Sequence, residues 1–102
     1  MTQQQQLRST VTSSGQLKLE LAQIEVPAPT SNEVLVRVEA SPINPSDLGL
    51  LFGMADMSTA KASGTSDAPM ITADIAPNIL KALTARLDQA LPVGNEGGGV
   101  VV

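Results

Sequence analysis

Ser41-Pro42-Ile43-Asn44-Pro45-Ser46-Asp47-Leu48 is the stretch at which this sequence changes character. Before it the residues alternate as a strand does; after it the chain reads as loop and helix. Asn44 is a good N-cap, Pro45 suits the first helical position because its missing N–H would have no partner there, and Asp47 puts a negative charge in the first turn. Polar side chains here sit at a strand-to-helix junction, held by rigid elements on both sides, which is a setting for binding and catalytic groups. A plain capped turn accounts for Asn44 and Asp47 equally well.

Working back towards the N-terminus, Glu33 to Ala40 reads as the clearest strand. Val34, Val36, Val38 and Ala40 share one face, and Glu33, Arg37 and Glu39 share the other. A slip of one residue would bury three charges, so the register is expected to be firm. Pro27 to Asn32 is a connector in which two prolines remove donors and hold the chain extended. Ahead of it, Gln6–Ser13 and Gln16–Val26 alternate in polarity on either side of the turn signal Ser14-Gly15, which predicts a β-hairpin. Residues 1–5, with most of a short glutamine run, read as a disordered lead-in.

Beyond the junction, Ser46 to Phe52 reads as a short apolar helix or turn that Gly53 ends. Residues 54–69 are small and polar without a sustained period, and are expected to form a long surface loop, either functional or a tolerated insertion. Met70 to Ile75 suggests a short strand. Pro77 then opens a helix in which Leu80, Leu83, Leu87 and Leu91 form a core-facing stripe, and Pro92 stops it. Gly94-Asn95-Glu96-Gly97-Gly98-Gly99 leads into Val100-Val101-Val102, the start of a strand. A dinucleotide fingerprint needs strand, glycines and helix in that order, whereas here the order is helix, glycines, strand. The glycines are expected to allow close approach of two backbones or a ligand, or to form a bulge. Glu96 reads either as a group that orients its neighbours or as a solvated turn acid.

Composition narrows the chemistry. The 102 residues allow one domain at most, burying about 60–70% of the surface of the unfolded chain. Phe52 is the one aromatic residue and the net charge is −4, so there is no stacking platform and no basic surface for nucleic acid. The absence of cysteine and histidine removes thiol nucleophiles, disulfides, histidine bases and the usual zinc ligands. With no signal-like N-terminus and no long apolar run, a soluble, cytoplasmic protein without membrane contact is expected.

Taken together and in order, Glu33-Val34-Leu35-Val36-Arg37-Val38, then Ser41 to Asp47, then Gly94 to Val101 resemble the N-terminal, GroES-like domain of medium-chain dehydrogenases/reductases. The N-P-x-D and G-x-E-G-x-G-x-V patterns are most similar to those of the zinc-independent quinone oxidoreductases. The resemblance implies a mainly β fold with one or two helices, a GroES-like partly open β-barrel over residues 6–102 that is incomplete at its C-terminus. The NADPH-binding Rossmann domain has no counterpart in this chain. A fragment or truncated gene product with open strand edges is therefore expected.

Zinc ligands of the alcohol dehydrogenase branch fall at Asn44 and Asn95, neither of which binds zinc in that way. The resemblance implies hydride transfer from NADPH to a quinone or another activated carbonyl or enone, without a metal, in a homo-oligomeric parent enzyme. Asn44 and Ser46 then carry the catalytic roles, Ser46 standing where the zinc branch has a proton-relay hydroxyl. Asn44 and Asp47 lie on the cofactor side, Asp47 fixing the turn, while Asn95 and Glu96 face the substrate cleft. A different reading makes the chain a non-catalytic GroES-like binding or assembly module, similar to the co-chaperonin of that fold, with residues 54–69 as its mobile partner-binding loop.

Overall fold

The computed structural model describes residues Thr2–Val102; Met1, the first residue of the expected lead-in, lies outside them. The fold is mainly β and open. Strands β1 (Thr2–Val11) and β2 (Gln16–Val26) form the expected antiparallel hairpin, pairing Leu7 with Leu21 and Val11 with Leu17. Gly15 makes the turn with a φ of 97°, and its N–H bonds the Thr12 carbonyl at 3.0 Å.

The hairpin is longer than the sequence predicts. Gln3, Gln4 and Gln5 are strand residues opposite Glu25, Ile24 and Gln23, not a disordered lead-in. The long alternating run of β2 offers a continuous ladder, and backbone pairing to it does not require apolar side chains on β1.

Residues 54–69 do not form the long surface loop expected of them. Most of this stretch is β4 (Asp56–Gly64), which pairs antiparallel with β5 (Pro69–Asp74) through the turn Thr65–Ala68. Gly64 enters that turn at a φ of 81°, where a side chain would run into the Ala68 carbonyl. As the edge of a sheet ordered β4-β5-β2-β1-β6, with β6 at Leu91–Pro92, β4 packs no apolar face, so its polarity does not alternate.

The helix expected from Pro77 to Leu91 is also shorter. Helix α2 (Pro77–Ala82) passes into a 3-10 turn at Thr84–Arg86, and the chain then reverses at Asp88 with a φ of 59°. The Thr84 hydroxyl donates to the Lys81 carbonyl at 2.6 Å, and the Asp88 N–H donates to the Val11 carbonyl of β1 at 2.7 Å. Leu80, Leu83 and Leu87 still pack on the core, as their spacing predicts. Leu91 and Pro92 instead form β6, which pairs with Ser9 and Arg8, so Pro92 does not stop a helix.

The core is small. Val11, Leu17 and Ile75 are its buried centre, with Ile79, Leu80, Leu83 and Leu87 over them. Ser9, fully buried, ties two further elements to β1: its Oγ donates to the Leu50 carbonyl of α1 (Pro45–Leu51) at 2.6 Å, and accepts from Arg86 Nη2 at 3.2 Å.

β3 (Val36–Ala40) and β7 (Gly98–Val101) form a separate two-stranded sheet. Its register shifts between Val38 and Ala40 opposite Gly99 and Gly98, which is the bulge that the glycines suggest. A Cβ on Gly99 would run into the Arg37 carbonyl, so the close backbone approach is real. β3 starts at Val36 and not at Glu33 as expected, and its valine face is not buried: Val36 is 44% and Val38 62% exposed. Alternation identifies a common face, but among the described residues no second layer covers it. No helix among the described residues is long and apolar enough to cross a membrane.

Candidate functional site

The junction at residues 41–48 folds as its local chemistry dictates. Asn44 is extended, α1 begins at Pro45, and Asn44 and Asp47 form a capping box. Within it the Asp47 carboxylate accepts the Asn44 N–H at 2.8 Å, and the Asp47 N–H donates to the Asn44 carbonyl at 2.9 Å. Asp47 is 6% exposed, so its carboxylate is spent on holding the turn.

Asn44 also reaches across the fold. Its Nδ2 donates to Glu96 Oε2 at 2.9 Å. An ionised carboxylate only accepts hydrogen bonds, so the nitrogen of the amide must face Glu96 and the oxygen the helix start. The second Nδ2 hydrogen has no partner among the described residues. This contact joins the two motif segments that the sequence singles out.

Beside the pair lies an open cleft of about 630 Å³. Leu7, Leu21 and Leu51 supply apolar wall, while Asp47, Asn95 and Glu96 supply polar lining. The expected substrate-side residues Asn95 and Glu96 thus both face the cleft, and Asn44 stands at its rim through Glu96. Ser46 is not brought there: it is exposed on the first turn of α1 and does not line the cleft. In a helix started at Pro45, Ser46 and Asp47 point about 100° apart, and it is Asp47 that turns inward.

The apolar wall went unmarked in the sequence. Leu7 and Leu21 belong to an alternation that predicts which face they share, and their cross-strand pairing puts them side by side. That this face flanks the junction depends on the distant placement of α1 over Ser9.

Chemically, the site offers amide donors, one carboxylate acceptor and an apolar wall. Among the described residues no group of three or more acidic side chains stands close enough to hold a metal ion. The chain matches no protein-family model and no curated protein.

Proposed function

We propose that this chain is the substrate-side domain of a zinc-independent, NADPH-dependent oxidoreductase that reduces a quinone or another activated carbonyl or enone in the cytoplasm. The observation that carries this reading is the Asn44–Glu96 hydrogen bond at the edge of a half-apolar cleft. A planar conjugated carbonyl compound suits such a cleft: its ring lies against Leu7, Leu21 and Leu51, and its oxygen accepts the unpaired Nδ2 hydrogen of Asn44. Glu96 orients that amide, and buried Asp47 holds the backbone from which it projects.

The described residues offer no cradle for the pyrophosphate of the cofactor. The glycine-rich stretch leads into β7 and not into a helix, and α1 and α2 are too short to cradle a pyrophosphate. On this reading the bulk of NADPH is held elsewhere, and it supplies the hydride when bound. This chain places the acceptor carbonyl, donates a hydrogen bond to its oxygen through Asn44, and keeps water from one face of the ring. Ser46, turned to solvent, has no part in the placement. The binding-module alternative needs a mobile loop at residues 54–69, where a paired hairpin stands.

Titration with duroquinone followed by amide NMR tests the reading. Shifts should cluster at Asn44, Asp47, Leu51, Asn95 and Glu96. Asn44→Ala should weaken binding about fivefold, the worth of one neutral hydrogen bond. Shifts scattered over the surface, or the same affinity in Asn44→Ala, would overturn it.

A further inference from the structure

We propose that the Asn44–Glu96 pair reads two neighbouring groups of its ligand at once, a carbonyl oxygen and an N–H or O–H on the adjacent carbon. The preferred acceptors are then quinones or enones that carry such a donor beside the carbonyl. The inference rests on the reading of the cleft as a carbonyl-binding site and narrows its substrate class.

The pair is only half used by its own hydrogen bond. Asn44 Nδ2 carries two hydrogens and gives one to Glu96 Oε2 at 2.9 Å, while the other has no partner among the described residues. Glu96 Oε1 likewise has no partner among the described residues. A free donor and a free acceptor therefore stand on two side chains that hold each other in place. A bare carbonyl answers the amide but leaves Oε1 to be desolvated by whatever group lies beside it. A carbonyl flanked by an N–H or O–H answers both atoms.

The charge of the cleft points the same way. Asp47 and Glu96 are the charged residues in its lining, and no lysine or arginine joins them. Asp47 is buried with its carboxylate on the Asn44 N–H, so Glu96 presents the negative charge that a ligand meets. The position next to the bound carbonyl is thereby selective. It favours a donor, gains nothing from a methyl group and repels a negative one.

Two matched probes test this. 2-Amino-1,4-naphthoquinone and 2-methyl-1,4-naphthoquinone differ by one group of similar size, and the chain has no cysteine for either to alkylate. Dissociation constants from amide NMR titration should favour the amino compound about fivefold, a modest factor because water competes for an exposed carboxylate. E96Q shows whether Glu96 is the cause. Its side chain has a single oxygen, which Asn44 Nδ2 takes, and it puts an NH2 group where Oε1 stands, so the two probes should bind E96Q equally. Equal affinities for the natural sequence, or a preference that survives in E96Q, would overturn the proposal and leave carbonyl binding at Asn44 standing. If neither probe binds, or if Asn44→Ala binds the methyl compound as well as the natural sequence does, the carbonyl-site reading fails and this inference falls with it.

Discussion

Asn44 and Glu96, 52 residues apart, are joined by a 2.9 Å hydrogen bond from the Asn44 amide to the Glu96 carboxylate. The bond links the start of α1 to the glycine-rich approach to β7. Glu96 is exposed, so the bond is expected to orient a side chain and not to hold the fold. Glu96→Ala should shift the Asn44 side-chain amide resonances markedly while leaving the urea midpoint nearly unchanged, with a cost below about 1 kcal/mol. Glu96→Gln retains an acceptor and should restore most of the amide position. Unchanged Asn44 resonances in Glu96→Ala would show that the pair does not form in solution.

Asp47 differs from Glu96 in burial, and the energetics should follow. Its buried carboxylate takes the half-buried Asn44 N–H, so Asp47→Ala leaves that donor unpaired as well as losing half of the capping box. A loss of about 1–3 kcal/mol in urea unfolding is expected, with Asp47→Asn intermediate. Equal stability of Asp47→Ala and Glu96→Ala would contradict the difference in burial.

How far these residues are legible from sequence depends on how local their determinants are. Asn44, Pro45 and Asp47 specify a helix start by rules that act within four residues, and Gly15 does the same for the first hairpin. Glu96 stands out beside glycines, but its contact with Asn44 is set by how β3 pairs with β7, which no local rule fixes. The strand at residues 56–64 is illegible because an edge strand of small polar residues needs no alternation. The leucine stripe from Leu80 marks the core face correctly, yet spacing cannot reveal that Asp88 adopts a left-handed backbone and turns the chain into β6. For β3, alternation shows which residues share a face, and whether anything covers that face is a separate question.

Two exposed carboxylates make a pH prediction. Glu33 is held below its ordinary value of 4.5 by hydrogen bonds from the Thr30 backbone and then its hydroxyl, and Asp56 below 3.8 by the Ser58 hydroxyl and then its backbone. A carboxylate depressed in the folded state stabilises it fully above the ordinary value and loses that contribution as pH falls through the folded value. The fading should therefore be confined to pH below about 4.5, and neutral-range stability should be flat with respect to these groups. Glu33→Gln and Asp56→Asn should each flatten the acid limb of a urea-midpoint profile. A profile with its acid limb unchanged in both variants would remove these groups as its cause.

Ser9 sits where β1, α1 and the 3-10 turn converge. Its hydroxyl serves the Leu50 carbonyl and receives Arg86, whose Nε is already buried without a partner. Ser9→Ala takes the hydroxyl from Arg86 Nη2, leaving it the longer contact to the Ser9 carbonyl at 3.4 Å, and should cost about 1–3 kcal/mol. Adding Arg86→Met removes the under-partnered cation, so the double variant should lose less than the sum of the two single changes. Strict additivity in thermal or urea unfolding would mean that the two side chains do not interact.

Gly99 and Gly98 are neighbours in β7, yet only Gly99 should respond to an added methyl group. A Cβ at Gly99 meets the Arg37 carbonyl of the paired strand, whereas a Cβ at Gly98 meets nothing within 4 Å. Since β3 and β7 form a sheet of their own, the damage from Gly99→Ala should remain there. Hydrogen exchange at Val36 and Val38 should accelerate by tenfold or more, about 1.4 kcal/mol in local opening, while Leu17, Leu19 and Ala73 in the larger sheet keep their protection. Gly98→Ala should leave both sheets as they are. Were Gly99→Ala to speed exchange equally at Leu17 and at Val38, the two sheets would open as one unit, and the exposed valines of β3 would have to be part of one cooperative fold with the larger sheet.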